Sequence, residues 1–147
     1  MRLLNEPKNE KYAVAHAAMI SGDFVYINSD GEAATPTDAS TAATARFLAV
    51  KNPEFSCQYA GFSNVIAAGD QVRLSNACRV EFSTPNLNLP TDNFATETVG
   101  AYLGITNSGK VAKVGSSAAN TTTFMRFVSF VGNTTSGILV ADVDFMI

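Results

Sequence analysis

The sequence of 147 residues contains no tryptophan and one histidine, His16. Hydrolases of the Ser-His-Asp or Cys-His type need a base that titrates near neutral pH, so such a site would depend on His16 alone. Its neighbours in "AVAHAAMI" are apolar, which indicates a histidine packed or hydrogen-bonded within a strand. The scattered carboxylates show no metal-ligand spacing with it. We therefore expect no catalytic residue, no metal site and no cofactor, and we predict that the chain is not an enzyme.

Cysteines are few and positive charge is not clustered. Cys57 in "FSCQY" and Cys78 in "NACRV" lie in strand-like runs without CxxC or Cys/His spacing, so small buried thiols are favoured over a disulfide. The Lys and Arg residues, 10 in all, are scattered, and the net charge is −3. Because binding to a phosphate backbone requires clustered positive charge, we expect no nucleic-acid partner.

Long hydrophobic runs are also missing. No apolar run approaches the roughly 20 residues of a membrane-spanning helix. The first residues, "MRLLNEPKNEKY", lack the apolar segment of a secretory signal. We therefore expect no membrane partner and a protein that is assembled in the cytoplasm.

The sequence does contain short runs in which apolar and polar residues alternate. Examples are "GDFVYIN", "RFLAVKN" and "GDQVRLS", which are separated by clusters of Gly, Pro, Asn and Asp. This pattern is typical of strands. The predicted fold is all-β and mainly antiparallel, either a small β-barrel or a β-sandwich, with an extended N-terminal arm and at most one short helix. The charged, aperiodic residues 1–11 form the predicted arm, and residues 12–147 form a single predicted β domain.

Turn signals divide these strands. Asp30-Gly31 and Asn107-Ser108-Gly109 predict hairpin turns, and "GNTTSG" predicts a turn between two C-terminal strands. The small, polar segment 35–45 predicts a loop that holds one helical turn, capped by Thr37 or Asp38.

The dipeptide Gly-Asp opens two strands, at Gly22-Asp23 and at Gly69-Asp70. In both places the pattern predicts a strand, a turn and a returning strand, so we predict a loose internal duplication. A short Asp side chain after glycine accepts backbone N–H groups in turns, and we interpret both aspartates as structural corners. Two catalytic carboxylates that converge across a cleft are the alternative.

These corners and the run "VGAYLGIT" resemble the capsid decoration proteins of tailed bacteriophages, also called cement or head-stabilising proteins. In those small β-rich proteins a Gly-Asp corner, a turn and a Gly/Ala-rich strand recur. The likeness is one of pattern and covers about Ala17 to Val114. The sequence departs from it in the arm at 1–11, in a Thr/Asn-rich flexible insert at 116–123 and in the long closing hairpin.

The resemblance implies a virion structural protein without catalysis, which binds the outer surface of a phage capsid and stabilises the expanded shell. Its partner would be the major capsid protein, and its location the capsid exterior after assembly in the host cytoplasm. A trimer or dimer that follows the local lattice symmetry is expected. The predicted capsid contacts lie in or beside the arm: Arg2, Leu3, Leu4, Pro7 and Lys11. The predicted oligomer contacts are in the apolar C-terminal run: Phe145, Met146 and Ile147.

A carbohydrate-binding or adhesion β-sandwich module is the alternative function. Sugar-binding sites usually offer aromatic platforms. This chain lacks tryptophan, and its tyrosines fall mostly at positions predicted to be core: Tyr12, Tyr26, Tyr59 and Tyr102. A hydrolase is the third class, but Ser63 in "GFSNV" lacks the Gly-x-Ser-x-Gly elbow.

Overall fold

The computed structural model describes residues 1–5, 11–51, 64–75, 77–115 and 120–144. Over these ranges the chain is mostly antiparallel β-strand with one short α-helix and two 3-10 turns, which confirms the predicted all-β class. The strands are β1 (Arg2–Leu3), β2 (Lys11–Val14), β3 (Met19–Ile20), β4 (Phe24–Ile27), β5 (Ala33–Ala34), β6 (Phe47–Lys51), β7 (Val65–Ile66), β8 (Gln71–Ser75), β9 (Ala77–Phe82), β10 (Tyr102–Ile105), β11 (Val111–Lys113), β12 (Asn120–Gly132) and β13 (Gly137–Asp144). The helix α1 spans Ala39–Thr44, and the 3-10 turns span Thr84–Asn86 and Phe94–Thr96.

The larger sheet has six strands in the order β1-β9-β13-β12-β10-β11. Every neighbouring pair in it is antiparallel. The predicted hairpins β10–β11 and β12–β13 both belong to this sheet and are confirmed. Along β13 the buried residues Leu139, Ala141 and Val143 alternate with more exposed neighbours, so the sheet packs one face inward and leaves the other to solvent.

The second sheet has five strands in the order β2-β8-β6-β4-β5. A parallel bridge between Ala15 and Ala33 brings the end of β2 beside β5, so this sheet curls back towards itself. A third, two-stranded sheet pairs β3 with β7. No sheet of the described ranges closes into a barrel, and of the two predicted architectures the structure matches the sandwich.

Two hydrophobic clusters hold the sheets together. The larger cluster joins the two large sheets, with Phe24 and Leu48 from the second sheet and Phe82 and Leu139 from the first. The rings of Phe24 and Phe82 lie 5.8 Å apart. The smaller cluster covers the other side of the five-stranded sheet, where residues such as Val25 and Leu74 pack with Met19 of β3 and Ile66 of β7. Burial of both faces explains why β4 and β6 have apolar residues at consecutive positions.

The helix α1 begins where the sequence predicts it. Asp38 is the N-cap, and its carboxylate accepts a hydrogen bond of 2.8 Å from the backbone N–H of Thr41. The Thr41 hydroxyl accepts in return from the backbone N–H of Asp38 at 3.2 Å, which completes a capping box. The hydrogen bond from the Thr41 backbone lowers the pKa of the Asp38 carboxyl below its ordinary value. The predicted cap at Asp38 is confirmed.

Two expectations about connections are wrong. The run after Gly69-Asp70 does not fold back on itself, because β8 pairs with β2 and β6, whereas β9 pairs with β1 and β13 of the other sheet. The chain therefore passes from one sheet to the other between β8 and β9. The second error concerns the later part of the flexible insert predicted at 116–123, since β12 begins at Asn120, which pairs with Ile105; residues 116–119 lie outside the described residues. The β-branched threonines of this segment suit a strand.

Candidate functional site

The solvent-facing side of the six-stranded sheet, here called the outer face, carries one continuous row of side chains. Asp142 of β13 lies opposite Arg79 of β9 and opposite Arg126 of β12, and Arg126 lies opposite Tyr102 of β10. The row extends at one end to Leu4, whose backbone N–H donates to the Arg79 carbonyl at 2.8 Å. At the other end, the register of β10 and β11 places Val114 next to Tyr102. We call this set the central row: Leu4, Arg79, Asp142, Arg126, Tyr102 and Val114.

Arg79 and Asp142 form a bidentate ion pair in the middle of the central row. Arg79 Nε donates to Asp142 Oδ1 at 2.7 Å, and Arg79 Nη2 donates to Asp142 Oδ2 at 2.9 Å. These hydrogen bonds lower the pKa of the Asp142 carboxyl and raise the pKa of the Arg79 guanidinium. Both carboxylate oxygens of Asp142 are thus engaged by Arg79, although Arg126 lies directly opposite on the other neighbouring strand.

Arg126 pairs instead with the aromatic ring of Tyr102. Its guanidinium carbon lies 4.5 Å from the ring centroid, and Nη2 donates to the Tyr102 hydroxyl oxygen at 2.6 Å. Both residues are exposed, and Tyr102 keeps 41% of its surface in solvent. Within the described ranges, the ion pairs of Arg and Lys do not include Arg126. The outer face therefore presents a cation that is held in place by an aromatic ring.

Exposed apolar side chains are concentrated on the same face. Val131 and Ile138 lie opposite each other near the end of the β12–β13 hairpin and are 76% and 40% exposed. With Leu4, Tyr102 and Val114 they make up 5 of the 10 exposed large hydrophobic residues found in the described ranges. A solvated sheet face normally carries polar residues at these positions. The combination of aliphatic residues with Tyr and Arg is typical of the buried centre of protein–protein interfaces.

The structure brings some of the predicted capsid contacts to this face and separates others. Arg2 lies on the outer face and donates to Glu81 Oε2 at 2.9 Å, and Leu4 is part of the central row. Leu3 points the other way and packs against the larger hydrophobic cluster. Lys11 lies on β2 of the other sheet, with its ammonium 4.6 Å from the centroid of the Phe47 ring. Pro7 lies outside the described residues, as do the oligomer contacts predicted at 145–147.

The two Gly-Asp pairs close turns of the same kind. Gly22 and Gly69 both have positive φ, 100° and 85°. The following residue donates its backbone N–H back across the turn, Asp23 to the Ile20 carbonyl and Asp70 to the Ala67 carbonyl. The side chains differ: Asp23 is buried and accepts from Lys110 Nζ at 2.6 Å and from the Ile20 N–H at 3.2 Å, whereas Asp70 is exposed. One carboxylate is therefore buried and paired with a half-buried lysine, and the other faces water.

His16 does not lie within a strand, which corrects the prediction for this residue. It follows β2 in a bend and is exposed. Its Nδ1 lies 2.7 Å from Glu32 Oε2, and this hydrogen bond is the largest cause of a lowered pKa of the Glu32 carboxyl. The predicted hydrogen bonding of His16 is thus present, but on the surface. Its partner comes from the turn between β4 and β5, which the bridge from Ala15 to Ala33 brings close.

The prediction that the tyrosines belong to the core is wrong for two of them. Tyr12 is 53% exposed and Tyr102 is 41% exposed, because both lie on strand faces that no other element of the described ranges covers. Tyr26 is half-buried against the larger hydrophobic cluster, and Tyr59 lies outside the described residues. Cys78 is buried, as predicted, with its Sγ 3.6 Å from Ser75 Oγ, and Cys57 lies outside the described residues.

A shallow, open groove of about 690 Å³ lies between three loops. One side is formed by Pro36 and Thr37, which precede α1. Its other walls are the turn between β10 and β11 and the connection before the second 3-10 turn, with neutral hydroxyl and amide side chains: Asn88, Thr91, Thr106, Asn107 and Ser108. The ion pair of buried Asp23 with half-buried Lys110 anchors the β10–β11 turn beside this groove.

The part of the chain that the structure describes contains no group of three or more His, Cys, Asp or Glu residues that would hold a metal ion. None of its helices has the length and apolar character needed to cross a membrane. Compared with models of known protein families and with curated proteins, the sequence matches none.

The contact residues predicted from the sequence did not include four exposed residues of the outer face: Tyr102, Arg126, Val131 and Ile138. The sequence could have indicated Val131 and Ile138. Each lies an even number of residues from a polar residue on its strand, Ser129 or Asp142, and therefore on the same, solvent-facing side. The stacking of Arg126 on Tyr102 depends on the pairing of β10 with β12, which no local pattern indicates.

Proposed function

We propose that the chain is a virion structural protein that binds the outer surface of a phage capsid and stabilises the expanded shell without catalysis. The observation that carries the docking part is the outer face, on which Val131, Ile138 and the stacked pair of Tyr102 and Arg126 are exposed together. The resemblance of the Gly-Asp corners and "VGAYLGIT" to capsid decoration proteins supports the choice of partner. The major capsid protein is that partner, and the capsid exterior is the location.

The N-terminal contact candidates fit this proposal as part of a sheet. Arg2 and Leu4 lie on the outer face beside Arg79 and Glu81, so they would reach the shell together with β13 and β12. Six strands spaced about 4.8 Å apart give the face a width of roughly 24 Å. That width suits contact with a broad protein surface.

Stabilisation would follow from linkage. A ligand that binds only the assembled, expanded lattice lowers the free energy of that lattice, and each bound copy adds to the effect. If the copies associate with one another on the shell, modest affinities multiply. A trimer or dimer placed on a local symmetry axis remains the proposed state, with Phe145, Met146 and Ile147 as proposed contacts between copies.

The test uses undecorated shells of the virus that encodes the chain. Purified protein is mixed with shells, and co-sedimentation and the melting temperature of the shell are measured. We expect saturable binding and a raised melting temperature. Absence of both would overturn the proposal.

A matched pair of variants locates the contact. The double substitution of Val131→Ser and Ile138→Ser removes exposed apolar surface from the outer face, and we expect binding to weaken roughly tenfold or more. Val14→Ser with Ile27→Ser makes the same chemical change on strands of the other sheet, where these side chains are 45% and 38% exposed. That control is expected to bind like the unmodified protein. Equal loss in both variants would contradict docking through the outer face.

A carbohydrate-binding module is the second candidate, and one observation favours it. The groove beside Pro36 is lined almost entirely by neutral hydroxyl and amide groups, which suit hydrogen bonding to sugar hydroxyls. A glycan array separates the two functions, because specific binding that is lost on Thr91→Ala with Asn107→Ala would support the groove. Silence on the array together with shell binding would reject it.

A further inference from the structure

We propose that Arg126 is the anion-recognition residue of the outer face, where it pairs with an Asp or Glu carboxylate of the capsid protein. This inference rests on the proposed function and names the chemistry of its partner. It is carried by the juxtaposition of Arg126, Tyr102 and the Arg79–Asp142 pair in the central row.

The three arginines of the outer face differ in their partners. Arg2 is paired with Glu81 at 2.9 Å, and Arg79 engages both oxygens of Asp142. Arg126 is exposed and has no carboxylate partner among the described residues. A partner surface that covers this face would bury an uncompensated positive charge unless it supplies a negative one, since a charge removed from water without a partner is costly.

Tyr102 prepares the guanidinium for that role. The ring lies under the guanidinium, and the hydroxyl accepts from Nη2 at 2.6 Å, so one donor is already engaged and the guanidinium is held at the ring before binding. The other N–H groups of the guanidinium are left to form the two parallel hydrogen bonds that a carboxylate accepts. Because the side chain is already held, less rotamer entropy is lost on binding.

The surroundings favour a carboxylate on a protein over other anions. The exposed apolar residues Val114 and Val131 belong to the same face, and their burial requires an apolar partner surface around the anion. A nucleic-acid backbone requires a cluster of cations, whereas the other two arginines of this face are already paired. A single arginine within an aliphatic and aromatic surface matches a protein–protein contact.

The experiment measures binding of single variants to the undecorated shells at several salt concentrations. We expect Arg126→Ala to weaken binding at least tenfold and Arg126→Glu to weaken it further. Arg126→Lys keeps the charge but cannot donate two parallel hydrogen bonds to a carboxylate, so its affinity should lie between those of the unmodified protein and Arg126→Ala. Tyr102→Phe keeps the ring and removes the hydroxyl, and a loss of about two- to fivefold is expected. Arg46→Ala removes an exposed arginine between α1 and β6 and serves as the matched control, with unchanged binding.

Salt dependence separates an ionic contact from a structural effect. Affinity of the unmodified protein should fall as salt rises, and the slope should be smaller for Arg126→Ala, whereas Arg46→Ala keeps the original slope. If the unmodified protein binds shells and Arg126→Ala binds equally well, or loses affinity with an unchanged salt slope, this inference is overturned and the proposed function stands. If the unmodified protein does not bind shells at all, the proposed function fails and the inference fails with it.

Discussion

At the scale of single residues, Asp23 and Asp70 occupy the same position in the same kind of turn but differ in their environment. Asp23 is buried and is paired at 2.6 Å with Lys110, which is 87 residues away in the sequence. Asp70 faces solvent. The Gly-Asp dipeptide predicts the turn because glycine accepts the positive φ. It cannot predict the ion pair, since nothing local to Asp23 indicates that the β10–β11 turn will lie beside it.

We predict that Lys110→Met destabilises the protein strongly. The substitution leaves the Asp23 carboxylate buried without its cation, and we expect the free energy of unfolding to fall by about 3 kcal/mol. Urea unfolding measures the change. Asp70→Asn makes a charge change at the equivalent turn in solvent and should alter stability by no more than about 0.5 kcal/mol.

A double-mutant cycle tests the coupling of the pair. Asp23→Asn combined with Lys110→Met should cost less than the sum of the two single substitutions, because the double variant leaves no buried carboxylate without its cation. Additive losses would contradict an energetic coupling between these two residues.

Gly22 and Gly69 allow a second matched comparison. An added Cβ at Gly22 would lie 2.6 Å from Asn86 Nδ2, and Asn86 is buried with its amide donating to the Ser21 carbonyl at 3.0 Å. An added Cβ at Gly69 would meet no atom within 4 Å. We predict a loss of about 1–2 kcal/mol for Gly69→Ala from the positive φ alone, and a further 1–3 kcal/mol, roughly, for Gly22→Ala from overpacking. Equal melting temperatures of the two variants would contradict this prediction.

At the scale of elements, β11 is the last strand of the six-stranded sheet, and the segment that follows the first 3-10 turn covers its outer edge. Leu87 forms a parallel bridge with Val111, and Asp92 Oδ2 accepts from the backbone N–H of Lys113 at 3.0 Å and from Asn88 Nδ2 at 3.2 Å. A covered edge cannot pair with another chain. The prolines of this segment, Pro85 and Pro90, indicate turns but do not show which strand the segment lies beside.

We predict that Asp92→Ala opens this edge locally. Loss of the carboxylate leaves the Lys113 N–H without its acceptor, at a cost of about 1–3 kcal/mol. Amide hydrogen exchange at Lys113 should become faster. Asp92→Asn keeps an oxygen acceptor and should preserve most of the protection. Unchanged exchange of the Lys113 amide in Asp92→Ala would show that the side chain does not protect the edge.

Element type was largely predictable, whereas element partners were not. Alternation of apolar residues identified β4, β6, β8 and both hairpins, and the cap at Asp38 located α1. The pairing of β9 with β1 and β13 joins Arg2 to Glu81, 79 residues apart, and Arg79 to Asp142, 63 residues apart. Local propensity contains no information on such pairings, and the central row of the outer face exists only because of them.

At the scale of the whole molecule, three surface carboxylates make stability depend on pH. The pKa is lowered for Glu32 by the hydrogen bond with His16, for Asp38 by the Thr41 backbone N–H, and for Asp142 by Arg79. A carboxyl whose pKa is lower in the folded chain than in the unfolded chain stabilises the fold when it is ionised. That contribution is present at neutral pH and is lost as pH falls through the lowered values.

We therefore predict that the urea midpoint is constant from pH 7 to about pH 5 and falls below about pH 4. Asp142→Asn cannot be protonated in this range, so the variant should start from a lower midpoint and show a smaller decrease on acidification. A midpoint that stays constant down to about pH 3, or the same decrease in both proteins, would contradict the assignment.

The strand order β1-β9-β13 has a consequence for synthesis on the ribosome. When β9 emerges, β1 is already available but β13 has not been translated. One backbone edge of β9 therefore stays unpaired until β13 is made much later. The nascent six-stranded sheet thus passes through a stage with an open edge in its middle, during which neighbouring nascent chains are able to exchange strands. Slowing translation between β9 and β13 should therefore lower the yield of correctly folded protein more than slowing it before β8.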